Sequence, residues 1–194
     1  MKRIDLNVDI GEGYRFDDAL LEFASSANVC CGEHAGSWDL TLETAEKCRS
    51  SGIRVGAHPG YPDRENMGRR SPTPDERQDW EASVRDQIDR FRREVGGAYV
   101  KPHGAFYNEL AALGADQVGD VLRRYGLTEG SVMVLAGSPA AIALGERALA
   151  EGFADRRQGS RVAWRCLHGD TAGCVELARA VVRALHDAGW EVGA

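Results

Sequence analysis

Residues 3–10, with the sequence RIDLNVDI, alternate between polar and apolar side chains, and Gly11 follows them directly. Such alternation with a period of two predicts a β-strand, because successive side chains of a strand point to opposite faces. Two further short runs rich in apolar residues, 26–31 and 53–57, also predict strands. The stretch 38–51 between them has apolar residues at helical spacing, so it predicts a helix that connects two parallel strands.

The alternation of strands and helices continues through the rest of the chain. We predict strands over 98–103, 131–136 and 162–167, and helices over 73–95, 106–124, 139–151 and 172–188. Repeated strand–helix units favour a parallel sheet or a barrel. No internal repeat, low-complexity segment or linker interrupts the pattern, so we expect residues 1–194 to form a single α/β domain.

Composition excludes several classes of protein. The 194 residues include 24 Lys and Arg against 30 Asp and Glu, and the formal charge of −6 is a poor electrostatic match to nucleic acid. No apolar run approaches the roughly 20 residues that span a bilayer, and the first residues contain no signal-like apolar stretch. The five cysteines form no CxxC pair, which favours reduced thiols over a disulfide scaffold or a zinc finger. We therefore expect a cytoplasmic protein.

Polar side chains that can do chemistry recur where the predicted strands end. Asp9 and Glu12 follow the first strand, and a histidine followed within two residues by glycine comes after each of four others. These histidines are His34, His58, His103 and His168. The carboxyl ends of strands line the active sites of α/β proteins, so we expect these residues to converge. The remaining histidine, His186, falls within a predicted helix and is expected at the surface.

These residue types allow several roles. Neutral imidazole acts as a general base, a general acid or a metal ligand near neutral pH, although a single histidine after a strand is as often structural. Asp9 and Glu12 can orient an imidazole, bind a cation, accept a proton or form a solvated turn. Lys101 shares a strand face with His103, so its ammonium either binds an anionic substrate such as a carboxylate or pairs with a nearby acid.

Several nucleotide-binding and hydrolase motifs are absent from the sequence. It contains no GxxxxGK[ST] loop and no GxGxxG after a strand, which excludes a Walker-type ATP site and a dinucleotide fingerprint. It also lacks GxSxG and HExxH, the signatures of α/β-hydrolases and zincins. The adjacent cations Arg69 and Arg70 are interpreted as solvated charges. The strand-end histidines and carboxylates are therefore the strongest indication of chemistry.

These strand-end residues belong to blocks of sequence that resemble a known family. In chain order, the blocks are 4–12 (IDLNVDIGE), 26–36 (SANVCCGEHAG), 56–63 (GAHPGYPD), 68–70 (GRR), 101–108 (KPHGAFYN), 153–156 (FADR) and 167–170 (LHGD). They are similar to the motifs of the LamB/YcsF family, which includes the A subunit of bacterial 5-oxoprolinase. Because the blocks occur in order over residues 4–170, the resemblance is far more specific than one short pattern.

The resemblance implies a fold and a reaction. It implies a (β/α)7 barrel of the glycoside hydrolase/deacetylase type, and ATP-dependent opening of 5-oxoproline to L-glutamate together with 5-oxoprolinase subunits B and C. The missing ATP-binding loop fits a chain that handles ATP with those partners. The expected catalytic residues are Asp9, Glu12, His58, His103, His168 and Asp170. The expected substrate-binding residues are Asn7, His34, Lys101, Tyr107 and Asn108.

Two other functions stay open beside this one. Clusters of His and Asp at strand ends suit a divalent metal, so the chain is alternatively a metal-dependent hydrolase or deacetylase that acts on a carbohydrate-like substrate. A shortened relative can also serve as a non-catalytic binding subunit. Retention of nearly every motif residue argues against that third function, whereas the shortened segment after Arg156 argues for it.

The chain departs from the family pattern in one segment. Only Arg156 to Arg161 separate the 153–156 block from the last predicted strand, which makes the chain a shortened member. A parallel crossover needs about a dozen residues or more, so we expect a barrel that is incomplete or open near its sixth strand. A second copy that covers such an edge would give a homodimer. In addition, Ser37 stands where the family has an acid after His-Ala-Gly.

Overall fold

A computed structural model describes residues 2–145, 149–153, 164–168 and 172–193 of the chain. It confirms an α/β fold with a parallel sheet. Two features of the sequence lie outside the described residues. These are the shortened connection over Arg156 to Arg161 and the expected catalytic residue Asp170.

Parallel strands form the centre of the fold, and helices follow most of them. The strands are β1 (Lys2–Ile10), β2 (Ser26–Cys30), β3 (Arg54–His58), β4 (Met133–Leu135), β5 (Leu149–Phe153), β6 (Trp164–His168) and β7 (Trp190–Val192). The helices are α1 (Asp17–Leu21), α2 (Trp38–Ser50), α3 (Arg77–Glu94), α4 (Gly104–Ala111), α5 (Val118–Arg124), α6 (Pro139–Leu144) and α7 (Cys174–Asp187), with a 3-10 turn at Arg64–Asn66. The hydrogen-bonded order is β3-β2-β1-β6-β5-β4, and β7 pairs with the start of β1.

The sheet closes on itself through the stretch around Val100. Val100 bridges to Ala57 of β3 on one side and to Val132, just before β4, on the other. The Lys101 N–H donates to the Ala57 carbonyl at 2.9 Å, and the Met133 N–H donates to the Val100 carbonyl at 2.8 Å. This stretch forms bridges where a strand over 98–103 was predicted, since Pro102 has no N–H to extend the ladder. Together with this stretch, β1 to β6 form a ring of seven members, and β7 lies outside it.

The expected opening near the sixth strand is wrong for the described backbone. Residues of β5 pair in parallel with β6, with Glu151 opposite Trp164 and Phe153 opposite Cys166. The expected homodimer rested on an unpaired edge at this place, and in the described residues that edge is paired. In the described residues, β5 and β6 therefore leave no unpaired edge at this place.

Two predicted helices are shorter than the sequence indicated. The helix predicted to reach residue 151 ends at Leu144, where Gly145 adopts a φ of +59°, and Leu149 begins β5 instead. Pairing with both neighbouring strands overrides the helical propensity of this stretch. The helix predicted over 106–124 is divided into α4 and α5 by a turn at Gly114, whose carbonyl accepts hydrogen bonds from the next segment. No helix among the described residues is long and apolar enough to cross a membrane.

Strand β1 is buried on both of its faces. Its apolar residues lie in the hydrophobic core against the helices. Its polar residues point the other way, yet Asn7 and Asp9 are 0% and 5% exposed. The side-chain amide of Asn28 on β2 donates to an oxygen of each, at 2.7 Å. The polar–apolar alternation therefore separates an apolar outer face from a polar barrel interior, rather than from water.

The loops after β1 and β2 approach each other closely at Gly36. Its φ is +57°, and a Cβ on this residue would lie 2.2 Å from the Gly11 carbonyl oxygen. The Arg64 guanidinium donates to the Gly36 carbonyl at 2.6 Å and fixes the turn. Glycine at this position thus keeps the loop that carries Glu12 beside the loop that carries His34.

The Gly36→Ala variant tests this close approach, with Gly52→Ala as the matched control. Gly52 also has a positive φ, +71°, but a Cβ there would meet nothing within 4 Å. We expect Gly52→Ala to lower the free energy of unfolding by about 1–2 kcal/mol through backbone strain alone. Gly36→Ala should cost a further ~1–3 kcal/mol through the clash, as measured by urea unfolding. Equal losses in the two variants would contradict the close packing of these loops.

Candidate active site

Four side chains with metal-ligand chemistry meet at the carboxyl ends of the first strands. Glu12 follows β1 and His34 follows β2, while His58 ends β3 and His103 follows the Val100 bridge. One nitrogen or oxygen atom from each side chain lies within 4.8 Å of the others. Glu12 Oε1 is 3.3 Å from His34 Nε2, and 3.7 and 3.4 Å from His58 Nε2 and His103 Nδ1. This group, the Glu–His cluster, has the composition to hold a divalent metal ion.

Backbone carbonyls fix the protonation of two of these rings. His58 Nδ1 lies 2.7 Å from the Lys101 carbonyl oxygen, and His103 Nε2 lies 2.8 Å from the Met67 carbonyl oxygen. Because a carbonyl can only accept, each of these nitrogens carries the hydrogen. The other nitrogens, His58 Nε2 and His103 Nδ1, therefore hold lone pairs, and they face each other at 3.0 Å.

Glycines make room for a stack of two imidazoles. The His34 and His103 rings lie 3.8 Å apart between centroids and are parallel to within 6°. A Cβ on Gly60 would lie 2.6 Å from His34 Nδ1, and a Cβ on Gly68 would lie 2.9 Å from His34 Cβ. Glycine at these two positions thus serves the packing of the neighbouring rings as well as the turns.

Burial keeps the three imidazoles neutral. It lowers the pKa of His34 to about 3 and that of His103 to about 4, and it holds the pKa of His58 well below its usual value of 6.5. The carboxylate of Asp9 opposes this effect, whereas the charges of Arg64 and Arg69 add to it at His34. At neutral pH the three rings therefore offer lone pairs rather than positive charge.

Lys101 lies inside the barrel and is paired with an acid. Its ammonium is 2.8 Å from each carboxylate oxygen of Asp9 and 2.9 Å from the sulfur of Cys166. The sequence allowed this lysine either to bind an anionic substrate or to pair with a nearby acid. The contact with Asp9 is the second of these, an ion pair. Asn28 donates to the same carboxylate, so Asp9 sits at the centre of a buried polar network.

A cavity of about 270 Å³ lies beside the cluster. Six residues that the sequence analysis selected line it, together with Arg69, Pro102 and Gly104. The six are Asp9, His58, Lys101, His103, Tyr107 and Asn108. The structure therefore brings most of the expected catalytic and substrate-binding residues to one place.

Other expected residues lie around this cavity or beyond the described chain. Asn7 is fully buried and accepts a hydrogen bond from Asn28, one layer below the cavity. His168 ends β6 directly opposite Asp9 in the strand register. His186, expected at the surface, has a side chain that is 87% exposed.

Two contributors to the site were missed by the sequence analysis. Arg69 was interpreted as a solvated charge, and it is exposed, but it lines the cavity. Its position in the 68–70 block, which resembles a family motif, was the feature of the sequence that could have indicated a role in the site. The Met67 carbonyl, which orients His103, gave no signal, because a backbone contact of this kind depends on the loop conformation and not on the residue type.

The model of the LamB/YcsF family matches residues 4–163, a range that contains the whole Glu–His cluster. The chain belongs to the LamB/YcsF family. A relative in Neisseria meningitidis serogroup C (strain 053442), named as the A subunit of 5-oxoprolinase, is 42% identical over 171 residues. That alignment covers 81% of this chain and 67% of the relative.

Solved structures confirm the family's barrel for this chain. The lactam utilization protein from Thermus thermophilus superposes with a TM-score of 0.76 at 29% identity, over 99% of each chain. A family 4 carbohydrate esterase from Streptomyces lividans superposes with a TM-score of 0.56 at 14% identity, over 100% of this chain and 92% of its own. The second likeness concerns the fold alone, and it supports the deacetylase-type barrel implied by the family motifs.

Acid is expected to weaken the fold through the buried imidazoles. Unfolded histidines take up a proton near pH 6.5, whereas folded His34 and His103 stay neutral down to about pH 3 and 4. Between these values the unfolded state binds more protons, so the free energy of unfolding falls as the pH drops. The loss reaches up to about 1.4 kcal/mol per pH unit for each group. Urea titrations at pH 7, 6 and 5 with EDTA measure this slope.

The matched pair for this experiment is His34→Gln and His186→Gln. The first variant should reduce the slope by the contribution of one group, because it removes a buried imidazole. The second should leave the slope unchanged, since it replaces a side chain that is 87% exposed and lies outside the buried cluster. A slope that is the same in His34→Gln as in the unaltered chain would contradict a neutral, buried His34.

Proposed function

We propose that this chain is a 5-oxoprolinase subunit of the A type, a hydrolase that opens the lactam C–N bond of 5-oxoproline to give L-glutamate. The 42% identity over 171 residues to the Neisseria relative of that name carries the proposal. The Thermus neighbour is named as a lactam utilization protein, which supports the same class of substrate. The roles of the individual site residues belong to the same proposal.

The cavity suits a small, charged ring. Its volume of about 270 Å³ accommodates a five-membered lactam with one carboxylate. The ammonium of Lys101 is held by Asp9, so we assign the substrate carboxylate to Arg69, which lines the same cavity. Guanidinium binds carboxylates through two parallel hydrogen bonds. Tyr107 and Asn108 line the cavity as well and supply polar contacts to the ring amide.

Two imidazole nitrogens with lone pairs belong to residues that line the same cavity. His58 Nε2 and His103 Nδ1 present lone pairs there, and the Glu12 carboxylate lies beside them. Such groups orient an attacking water and accept its proton, or hold an ion that does so. An unstrained lactam also needs an activated carbonyl, and coupling to ATP would supply the activation.

We assign the handling of ATP to a complex with 5-oxoprolinase subunits B and C. The sequence lacks a Walker-type loop, and the name of the relative is that of one member of a multi-subunit enzyme. We also propose a cytoplasmic location. The five cysteines are buried thiols that form no disulfide, which suits a reducing compartment.

A metal-dependent hydrolase of the deacetylase type, acting on a carbohydrate-like substrate, is the second candidate. The grouping of Glu12 with three histidines favours it. Arg69 in the same cavity favours 5-oxoproline, because an acetylated sugar has no carboxylate for it to bind. Release of acetate from N-acetylated sugar oligomers, without any turnover of 5-oxoproline, would select the second candidate. Binding to subunits B and C with neither activity would indicate a non-catalytic subunit.

Reconstitution with subunits B and C tests the proposed reaction. The complex should release ADP and L-glutamate together, and only when 5-oxoproline is present. His103→Ala should lower turnover about 100-fold or more, because it removes a lone pair at the cavity. His186→Ala, at an exposed histidine, should keep full turnover. Full turnover in His103→Ala would contradict the site, and none in the unaltered complex would contradict the function.

Arg69→Ala tests the assignment of the substrate carboxylate. Losing a charge-assisted hydrogen bond costs about 1.5–3 kcal/mol, so we expect KM for 5-oxoproline to rise about 10- to 100-fold with a smaller change in kcat. KM for ATP should stay the same. The matched control is Arg123→Ala, at an exposed arginine on α5 that pairs with Asp120. An unchanged KM for 5-oxoproline in Arg69→Ala would show that another group binds the carboxylate.

A further inference from the structure

We propose that Glu12, His58 and His103 bind one divalent transition-metal ion of the Zn²⁺ type, and that His34 holds Glu12 in position without binding the ion. The site follows from the geometry of the Glu–His cluster. It does not rest on the proposed reaction, because metal binding can be measured on the chain without substrate or partner subunits.

The two facing nitrogens are the main evidence for a cation. His58 Nε2 and His103 Nδ1 are 3.0 Å apart, and each ring donates its one N–H to a backbone carbonyl on its other side. Both facing atoms therefore act as acceptors, and two acceptors repel each other at this distance. An ion bound by both nitrogens turns this repulsion into two favourable contacts.

The spacing of the three proposed ligand atoms fits a tetrahedral ion. Bonds of about 2.0–2.1 Å to zinc place neighbouring ligand atoms about 3.3–3.4 Å apart in a tetrahedron. The observed separations are 3.0 Å between the two imidazole nitrogens, and 3.4 and 3.7 Å from Glu12 Oε1 to His103 Nδ1 and His58 Nε2. Shifts of a few tenths of an ångström thus convert this arrangement into a three-ligand site.

The stacking of His34 on His103 excludes His34 from the ligand set. A ring nitrogen directs its lone pair in the plane of the ring, and the two rings are parallel with centroids 3.8 Å apart. An ion in the plane of His103 lies well outside the plane of His34. His34 Nε2 instead lies 3.3 Å from Glu12 Oε1 and can donate its hydrogen to the carboxylate. That contact orients the Glu12 side chain towards the other two rings.

The surroundings of the two imidazole ligands match those of metal-binding histidines. Such histidines commonly donate their second N–H to a backbone carbonyl or a carboxylate, which fixes the tautomer and the ring orientation. The carbonyls of Lys101 and Met67 fill this role here. Among the described non-glycine residues, Met67 alone has a positive φ, +54°, a conformation that is strained for a residue with a side chain. The strained residue, Met67, is therefore the one whose carbonyl orients His103.

The chemistry of the ligands selects the class of ion. Two imidazole nitrogens and one carboxylate oxygen suit Zn²⁺, Co²⁺ or Fe²⁺, whereas Ca²⁺ and Mg²⁺ prefer oxygen ligands alone. Asp9 is left out of the set, because both of its oxygens contact the Lys101 ammonium. Three protein ligands leave a further position on the ion for a small molecule, and both imidazole ligands line the cavity.

Metal binding to the EDTA-treated chain tests the proposal. After equilibration with Zn²⁺, elemental analysis should find one equivalent per chain, and Co²⁺ should give the visible absorption of a four-coordinate site. His58→Gln and His103→Gln should each weaken binding at least 100-fold. His34→Gln should keep one equivalent and the same Co²⁺ spectrum, with affinity reduced about tenfold. His186→Gln is the matched control and should bind as the unaltered chain does.

Folding and ligand identity are separated by two further measurements. Circular dichroism and the urea midpoint in EDTA establish that each variant folds, and Glu12→Gln removes the ligand charge while keeping the side-chain size. Glu12→Gln should lose affinity as the two histidine variants do. A folded chain that binds no Zn²⁺ or Co²⁺ would overturn the site, as would equal losses in His34→Gln and His58→Gln. If the unaltered chain binds the metal but its complex with subunits B and C does not turn over 5-oxoproline, only the proposed function is contradicted.

Discussion

The ion pair between Lys101 and Asp9 inside the barrel is the interaction on which the rest of the structure depends. The ammonium lies 2.8 Å from both carboxylate oxygens, and the side chains are only 3% and 5% exposed. Removing one partner would leave an uncompensated buried charge, which typically costs about 3–5 kcal/mol. Lys101 also presents its carbonyl to His58, and Asp9 precedes Glu12 at the end of β1. One buried contact therefore aligns both sides of the candidate site.

The elements whose pattern is local could be predicted from the sequence. β1 follows from its period-two alternation and α2 from its helical spacing. The strand Leu149–Phe153 could not be predicted, because its residues favour a helix and only pairing with β4 and β6 makes it a strand. Closure of the sheet through Val100 likewise depends on partners far away in the sequence. Because Pro102 interrupts the ladder of hydrogen bonds, this stretch forms isolated bridges and not a full strand. Local preference and distant pairing compete in these segments, and pairing prevails.

The candidate site divides in a similar way. Its location could be predicted, because strand carboxyl ends meet at one edge and the histidines follow those ends. The role of each residue could not. The choice of Lys101 between a substrate and an acid, the lining position of Arg69, and the ring nitrogens of His103 that carry hydrogen all depend on three-dimensional neighbours. The residue type limits the chemical roles that are open to a side chain, and its contacts in the fold determine which role it takes.

The position of β1 in the sheet has a consequence for how the chain is made. β1 pairs on one side with β2, through Asn7 and Ser26, and on the other with β6, through Asp5 and Trp164. During synthesis β1, β2 and β3 emerge one after another and can pair as they do so. The other edge of β1 has to wait for β6, which emerges only after β2 to β5. Until then the nascent half-barrel exposes an unpaired edge, and this is the interval in which ribosome-associated chaperones would protect it best.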